Sequence, residues 1–199
     1  MFGDIHADLA AYLIRGYLLA GLIFHKAVWE ILKKRVSQAP NASASAGVTI
    51  AKLIKIGILA GIILQTLLPL DLFPIASQGT PPLLWIGLLL YTAGLTIAVS
   101  ARLQLGNNWS DIEAARLQRG HAVVANGLYR YIRHPIYTGD LLLLAGLELS
   151  LNSWLVLGVA LIAAVVTQKA AREEKDLAGG IPAYGEYCRR TKRFIPFVF

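Results

Sequence analysis

The feature that most limits how this chain can fold is a set of long apolar runs. One run covers Leu83 to about Ala101 and begins just after the Pro81-Pro82 pair. Proline is well tolerated near the start of a helix. A helix needs about 20 mostly apolar residues to cross the hydrocarbon core of a bilayer. A run of this length therefore predicts a membrane-spanning helix.

Three further runs repeat this pattern. Residues 50–70 form one, which ends at proline and aspartate breakers. Leu141–Leu151 and Trp154–Thr167 form two more, separated by the polar pair Asn152-Ser153. Because such a pair is a turn signal, the last two runs predict a helical hairpin. The first arm of this hairpin is long enough to cross the membrane only if it begins near Ile136.

The N-terminal candidate, about Leu9–Leu32, is interrupted by Arg15, His25 and Lys26. Arg15, Lys26 and Lys33 fall on roughly the same side of an α-helix by its 3.6-residue period. An amphipathic helix lying on the membrane would show this pattern. A spanning helix whose polar stripe faces other helices would also show it. We expect the spanning helix.

The composition agrees with lipid as the solvent. Hydrophobic residues make up 56% of the 199 residues and charged residues 16%, against about a quarter in soluble domains. The net charge of +7 comes from basic residues beside the apolar runs, where the positive-inside rule places them. We therefore predict contact with membrane lipids and no nucleic acid. With one cysteine, Cys188, and no ligand motif, the sequence predicts no metal site.

Lysine and arginine residues also predict which loops face the cytoplasm. The first connection is basic, whereas residues 70–82 contain no lysine or arginine. The chain would then return to the cytoplasm at Arg102, and the hairpin would leave and return once more. The sequence thus predicts an all-α integral membrane protein with about five transmembrane helices, or four if the first does not cross. Residues 1–101 would form three spans, and residues 102–199 a core with the catalytic site.

The densest polar segment runs from Gly120 to Gly139 and is aromatic, basic and punctuated by glycine. Pro135 biases His134 away from helical geometry, so Arg133-His134 lies at a break just before an apolar helix. At membrane depth such a break is tolerated only where it lines protein or a wet cavity. Polar side chains at this break suit an anionic ligand group, although a juxtamembrane aromatic belt would also contain tyrosines.

The adjacent carboxylates Glu173 and Glu174 leave the last apolar run on the same predicted side as Arg133 and His134. A carboxylate pair at such a position can hold a cation such as an ammonium group. An isolated acidic pair is more often a solvated helix end. The shared side of the membrane favours the functional interpretation.

A third polar stretch, Leu105–Ser110, follows the third run and contains Asn107 and Asn108. Arg102 precedes it by about one turn. This arginine can meet a carboxylate, or it can extend to lipid headgroups.

In this order the motifs resemble the isoprenylcysteine carboxyl methyltransferase family, which is related to the phospholipid methyltransferases of membranes. The resemblance covers about residues 102–196, whereas residues 1–101 match only in being membrane spans. The positions that carry it are Gly120, His121, Val124, Gly127, Tyr129, Arg133, His134, Pro135, Tyr137, Gly139, Glu173, Glu174, Tyr184, Tyr187, Thr191 and Arg193-Phe194-Ile195-Pro196.

The resemblance implies a methyltransferase that binds S-adenosylmethionine at the cytoplasmic face. The residues expected to bind this cofactor are His121, Val124, Gly127, Tyr129, Arg133, His134, Tyr137, Glu173 and Glu174. The cofactor's carboxylate suits Arg133 or His134, and its ammonium suits Glu173 or Glu174. Arg102, Asn107 and Asn108 are the residues expected to orient the acceptor.

The predicted acceptor is the carboxylate of a lipidated, isoprenylcysteine-like small molecule or protein. A carboxylate has a reference pKa of about 3.5, so it is ionised at neutral pH and needs mainly alignment and exclusion of water. A phospholipid or amine N-methyltransferase stays open. So does an NADPH-dependent membrane reductase of the sterol type, although a nicotinamide dinucleotide offers no ammonium for Glu173 or Glu174. A transport protein is disfavoured because the polar residues gather at one face, with Glu148 as the exception. The oligomeric state stays open.

Overall fold

A computed structural model of the chain describes residues 2–36, 46–68, 74–75, 81–106 and 123–198. In these ranges the secondary structure is helical, apart from two isolated β-bridges. The helices are α1 (Phe2–Val36), α2 (Ala46–Leu67), α3 (Pro81–Leu105), a 3-10 turn (Gly127–Arg130), α4 (Pro135–Ser150), α5 (Val156–Gly180) and α6 (Tyr184–Arg190). The predicted all-α class is therefore confirmed.

Two stretches among the described residues are long and apolar enough to cross a membrane. They are Leu9–Lys33 within α1 and Pro81–Leu105, which is the whole of α3. The apolar part of α2, Ile56–Leu67, is shorter. These assignments rest on length and composition, so the count of about five transmembrane helices stays a prediction.

The chain divides into two compact units, Met1–Leu72 and Phe73–Phe199. The boundary lies before α3, so the third predicted span belongs to the same compact unit as the polar segments that follow it. The functional division predicted between residues 101 and 102 stays a prediction.

In the first unit, α1 packs against α2. The Nη1 atom of Arg15 donates hydrogen bonds to the carbonyl oxygens of Gln65 at 2.9 Å, Thr66 at 3.2 Å and Leu68 at 2.9 Å. The last carbonyls of a helix have no partner within that helix, and a cation there also complements the helix dipole. The predicted polar stripe of α1 therefore faces α2 at Arg15.

In the second unit, α3 and α4 approach each other closely through glycines. A Cβ atom on Gly94 would lie 2.3 Å from the backbone nitrogen of Leu143, and one on Gly146 would lie 2.2 Å from that of Tyr91. Real side chains do not make such contacts, so glycine lets the two backbones pack directly, as small residues do between membrane helices. This pairing places the first turn of α4 relative to the end of α3.

α4 begins at Pro135, with His134 as the N-cap residue at φ −123° and ψ 55°. The predicted break before this helix is therefore confirmed, because proline occupies the first helical position. α4 ends at Ser150, and residues 151–155 turn the chain into α5, with Asn152 at φ +53°. The predicted hairpin is present, and its first arm has 16 residues, or about 24 Å at the helical rise.

The turn of this hairpin is a buried polar corner. The backbone N–H of Ser153 donates to the carbonyl of Glu148 at 2.9 Å, and its hydroxyl oxygen accepts from the N–H of Leu155 at 3.1 Å. The N–H of Ile75 donates to the carbonyl of Asn152 at 2.9 Å. The side chain of Glu148 is buried. This glutamate thus lies beside the turn and not in the middle of a span.

Candidate functional site

The break before α4 is held by a parallel backbone pairing with the segment after α6. Ile132 forms an isolated β-bridge with Lys192. The N–H of Arg133 donates to the carbonyl of Lys192 at 2.8 Å, and the N–H of His134 donates to that of Arg193 at 3.1 Å. Backbone groups without a helical partner need such acceptors when they are buried. The pairing therefore brings Arg193 beside the predicted Arg133-His134 motif.

The carboxylate of Glu174 joins these elements. Its Oε1 accepts from Nε of Arg133 at 2.8 Å and from Nε of Arg193 at 3.0 Å, and its Oε2 accepts from Nη2 of Arg193 at 2.7 Å. Nε2 of His134 lies 3.0 Å from the same Oε1. Burial tends to raise the pKa of Glu174, but the hydrogen bonds from His134, Arg193 and Arg133 outweigh it and hold the pKa far below its usual value. Glu174 is therefore ionised at neutral pH.

Arg133 is committed to protein acceptors. Besides Glu174, its guanidinium donates to the carbonyl oxygens of Cys188 at 3.2 Å and Thr191 at 2.5 Å. The side chains of Arg133 and Glu174 are each 12% exposed. This geometry fastens the end of α6 to the start of α4. The role of Arg133 in binding a cofactor carboxylate stays a prediction.

Glu173 lies beside Glu174 in sequence but has different surroundings. Its Oε2 accepts a hydrogen bond from the hydroxyl of Tyr137 at 3.0 Å and lies 4.0 Å from Nδ1 of His134. The Glu173 side chain is 35% exposed. The rings of His134 and Tyr137 stack at 5.4 Å with an interplanar angle of 13°, and Nζ of Lys169 lies 5.6 Å from the centroid of the Tyr137 ring. The result is an oriented, partly open carboxylate beside an aromatic ring and a cation.

The 3-10 turn before the break is held by contacts with α3 and α6. The N–H of Leu128 donates to the side-chain carbonyl of Gln104 at 2.8 Å, and the hydroxyl of Tyr187 donates to the carbonyl of Tyr129 at 2.8 Å. Gly127 has φ +56°, where glycine is favoured. Tyr129 is 6% exposed, and burial raises the pKa of its hydroxyl. Tyr129 therefore stays neutral and helps to hold this turn.

Of the predicted acceptor residues, Arg102 is described and fully buried in the last turn of α3. Its Nη1 donates to the carbonyl of Gly106 at 3.2 Å. Val124 is half-buried in the irregular stretch before the 3-10 turn. Three predicted site residues lie outside the described residues: Asn107, Asn108 and His121. The structure therefore brings together Arg133, His134, Tyr137, Glu173 and Glu174.

Three residues of this neighbourhood were not predicted as site residues: Arg193, Gln104 and Lys169. Arg193 was noted only as part of the Arg193-Phe194-Ile195-Pro196 motif. The sequence could have indicated Arg193 through that motif together with a carboxylate pair that needs cationic partners. Lys169 had a helical signal, since it precedes Glu173 by four residues and neighbours at this spacing share a helix face. Gln104 gave no signal in the sequence.

Comparison with known proteins agrees with these motifs. Residues 83–179 match the family described as "Phospholipid methyltransferase". The chain is 32% identical to the cobalt-zinc-cadmium resistance protein CzcN of Cupriavidus metallidurans, over 56% of this chain and 51% of that protein. It is 27% identical to the protein-S-isoprenylcysteine O-methyltransferase of Schizosaccharomyces pombe, over 53% of this chain and 46% of the relative. It is also 27% identical to protein-S-isoprenylcysteine O-methyltransferase A of Arabidopsis thaliana, over 74% and 73%.

Among solved structures, the eukaryotic intramembrane Ras methyltransferase ICMT (isoprenylcysteine carboxyl methyltransferase) has the same fold. The TM-score is 0.62 at 20% identity, over 94% of this chain and 68% of that one. The chain spans about half the length of two of the curated relatives that it matches. The resemblance inferred from the motifs is confirmed: residues 83–179 match the phospholipid methyltransferase family, and the relatives of the chain include two isoprenylcysteine O-methyltransferases.

Proposed function

We propose that the chain is an S-adenosylmethionine-dependent methyltransferase of the membrane, with its site at the cytoplasmic ends of α4 and α5. The observation that carries the proposal is the unequal use of two adjacent carboxylates. Glu174 is 12% exposed and paired with Arg133 and Arg193, whereas Glu173 is 35% exposed and oriented by Tyr137. One carboxylate builds the site, and its neighbour is left at the rim for a cationic ligand.

The charges of S-adenosylmethionine fit this donor set. Glu173 would hold its ammonium group, because a partly open carboxylate with a fixed orientation forms a strong charge-assisted hydrogen bond. Tyr137 and His134 would keep Glu173 in place through the hydrogen bond and the stacked rings. When bound, the cofactor would supply a methyl group that its sulfonium charge already activates. Arg133 would act by holding Glu174 and the segment after α6.

The acceptor that we propose is a carboxylate carried by a lipid-like or lipidated small molecule or protein. Lys169 supports this choice, because it is half-buried one turn before Glu173, toward the apolar part of α5. A cation at this level attracts a carboxylate and repels the ammonium form of an amine. Phospholipid N-methylation stays the alternative, and its acceptor would have to arrive as a neutral amine.

The reaction needs little proton transfer from the protein if the acceptor is a carboxylate. The acceptor oxygen is already anionic, so the residues of the site have to bind, orient and exclude water. Correct alignment alone can supply up to roughly 7–11 kcal/mol of barrier lowering in ideal cases. Lys169 would align the acceptor oxygen, and Glu173 would align the methyl donor. Arg102, Asn107 and Asn108 stay candidates for the same task.

The proposed setting is an integral membrane protein of about five spans whose site faces the cytoplasm. Apolar side chains of α1, α2, α3 and α5 support this placement. Examples that are at least half exposed are Tyr12, Ile56, Leu89 and Leu161. Side chains of this kind are stable in contact with lipid. A lipid tail would reach the site sideways between helices, while a soluble cofactor would reach it from the cytoplasm.

Calorimetric titration of S-adenosylmethionine into the detergent-purified chain tests the cofactor. Glu173→Gln should weaken binding at least about tenfold, since a charge-assisted hydrogen bond contributes about 1.5–3 kcal/mol. Glu186→Gln is the control, because Glu186 is exposed and paired with Arg190 in α6. Absence of binding by folded wild-type protein would refute the proposal, and NADPH would then be the next ligand to titrate.

Methyl transfer tests the acceptor. Protein in vesicles would receive labelled S-adenosylmethionine with either an S-prenylated N-acetylcysteine or phosphatidylethanolamine. A carboxyl methyl ester releases its label as methanol in base, whereas an N-methyl group does not. Base-labile product from the prenylated acid would support carboxyl methylation, and base-stable product from the phospholipid would support the amine alternative.

A further inference from the structure

Four apolar side chains are exposed close to the break before α4, and they form what we call the aromatic patch: Tyr131, Ile195, Phe197 and Val198. Their exposed fractions are 46%, 53%, 82% and 71% in that order. The rings of Tyr131 and Phe197 meet edge to face with centroids 6.3 Å apart. The N–H of Val198 donates to the carbonyl of Ile195 at 3.2 Å, so a turn gathers the other three. The proposed methyl-transfer site uses none of these side chains.

The backbone of Phe197 has φ +66°. A bulky residue rarely adopts this left-handed region, which suits glycine and asparagine. Such a conformation persists where the surroundings favour it. In this conformation Phe197 has the most exposed side chain of the patch. An exposed phenyl group is unfavourable in water, so the conformation is best explained by an apolar environment that receives the ring.

Basic residues flank the aromatic patch. The guanidinium carbon of Arg130 lies 6.0 Å from the centroid of the Tyr131 ring, and Arg130 is exposed. Lys192 is also exposed, and its backbone N–H donates to the carbonyl of Tyr131 at 3.1 Å. Aromatic rings with lysine or arginine beside them are typical of the boundary between water and lipid. The charges complement the anionic headgroups of the cytoplasmic leaflet.

We propose that the aromatic patch inserts into the headgroup region of the cytoplasmic leaflet, with Arg130 and Lys192 on anionic phosphates. Tyr131 lies two residues before Arg133, and Lys192 adjoins Arg193, so this contact would hold the candidate site at the membrane surface. The inference goes beyond methyl transfer. It depends on the membrane placement of the chain and not on the identity of the cofactor or the acceptor.

A fluorescent probe on the full chain in vesicles tests this proposal. Val198→Cys carries an environment-sensitive fluorophore in a Cys188→Ala background, which removes the one native cysteine. The vesicles contain phosphatidylcholine, with or without phosphatidylglycerol. Fluorescence is quenched either by a lipid that has a nitroxide near its headgroup or by iodide in the surrounding water. A probe at Ala178→Cys, which is exposed late in α5, is the matched control.

We expect the nitroxide lipid to quench the Val198 probe, and iodide to quench only the Ala178 probe. Phe197→Asn suits the left-handed backbone. It should lower the equilibrium constant for insertion, obtained from the lipid-quenched fraction, about tenfold, as expected when one phenyl group leaves lipid. Phe197→Leu, which keeps an apolar side chain, should preserve it. Phosphatidylglycerol should increase the equilibrium constant for insertion roughly fivefold per basic residue. The double variant Arg130→Gln with Lys192→Gln should remove this increase.

Two results would overturn the proposal. In the first, iodide quenches the Val198 probe as readily as the Ala178 probe, and the nitroxide lipid has no effect. In the second, the Val198 probe is protected from both quenchers, which would assign the patch to a protein contact such as a second copy of the chain. Circular dichroism of each variant in detergent would establish that the compared proteins are folded.

Discussion

Replacing Glu174 by glutamine should separate the segment after α6 from the start of α4. The carboxylate accepts two hydrogen bonds from Arg193 and one from Arg133, and it contacts His134. Removing one partner of a buried ion pair costs about 3–5 kcal/mol. Arg193 is 26% exposed and glutamine keeps one carbonyl acceptor, so we expect about 2–3 kcal/mol here. This corresponds to a local opening equilibrium roughly 30- to 150-fold larger.

Cys188 gives a direct assay of this opening. It is the one cysteine of the chain and is half-buried in α6, where its carbonyl accepts from Arg133. Its alkylation by a maleimide at fixed pH should be about 30- to 150-fold faster in Glu174→Gln than in wild type, because labelling follows local opening.

The control for this assay is Glu186→Gln. It removes a pair with Arg190 in which the two side chains are 55% and 76% exposed. Such surface pairs contribute about 0.2–1 kcal/mol, so labelling should change less than about fivefold. Equal labelling rates for the two variants would refute the view that Glu174 fastens the segment after α6.

Three further predictions concern other parts of the second unit. Gly94→Ala should destabilise the protein by about 1–3 kcal/mol or more in thermal unfolding in detergent, because its Cβ would meet the backbone of α4. Gly158→Ala is the control and should not destabilise the protein, because Gly158 has open space around it. Lys169→Gln should raise the KM for a carboxylate acceptor with little change in cofactor affinity. Lys169→Arg should keep the KM near the wild-type value, and an unchanged KM in Lys169→Gln would exclude Lys169 as an acceptor contact. The lowered pKa of Glu174 means that its stabilisation is complete above the ordinary value of 4.5 and is lost as the pH falls further. The wild-type unfolding temperature should therefore fall below pH 4.5, and Glu174→Gln should lack that part of the decrease.

Much of the second unit could be predicted because local chemistry marks its boundaries. Pro135 cannot continue a preceding helix and suits the first position of a new one, so the start of α4 followed from one residue. Asn152 and Ser153 interrupt an apolar run with groups that favour a turn. Topology then placed Glu173 and Glu174 on the side of the Arg133-His134 motif. The structure brings Glu174 within hydrogen-bonding distance of the motif and Glu173 within 4.0 Å of His134.

The division of roles between the two glutamates could not be predicted in the same way. Adjacent residues on a helix point about 100° apart, so the side chains of Glu173 and Glu174 enter different environments. The segment after α6 determines which of the two carboxylates contacts the arginines. This segment is held by a parallel bridge between Lys192 and Ile132, and a single bridge produces no periodic pattern in the sequence. The partners of Arg15 were hidden for a similar reason, because they are backbone carbonyls and carry no side-chain signal.

The pairing of Glu174 with Arg193 also constrains how the protein is made. Helices α1 to α5 precede Arg193 in the chain, so they are synthesised while this partner of Glu174 is still absent. Protein domains generally fold in the order of their synthesis, but Glu174 obtains two of its hydrogen bonds only when Arg193 is available. A nascent chain arrested after α5 would therefore have Arg133 beside Glu174 but lack the two hydrogen bonds from Arg193. A quality-control protease could distinguish such a chain by this more accessible carboxylate.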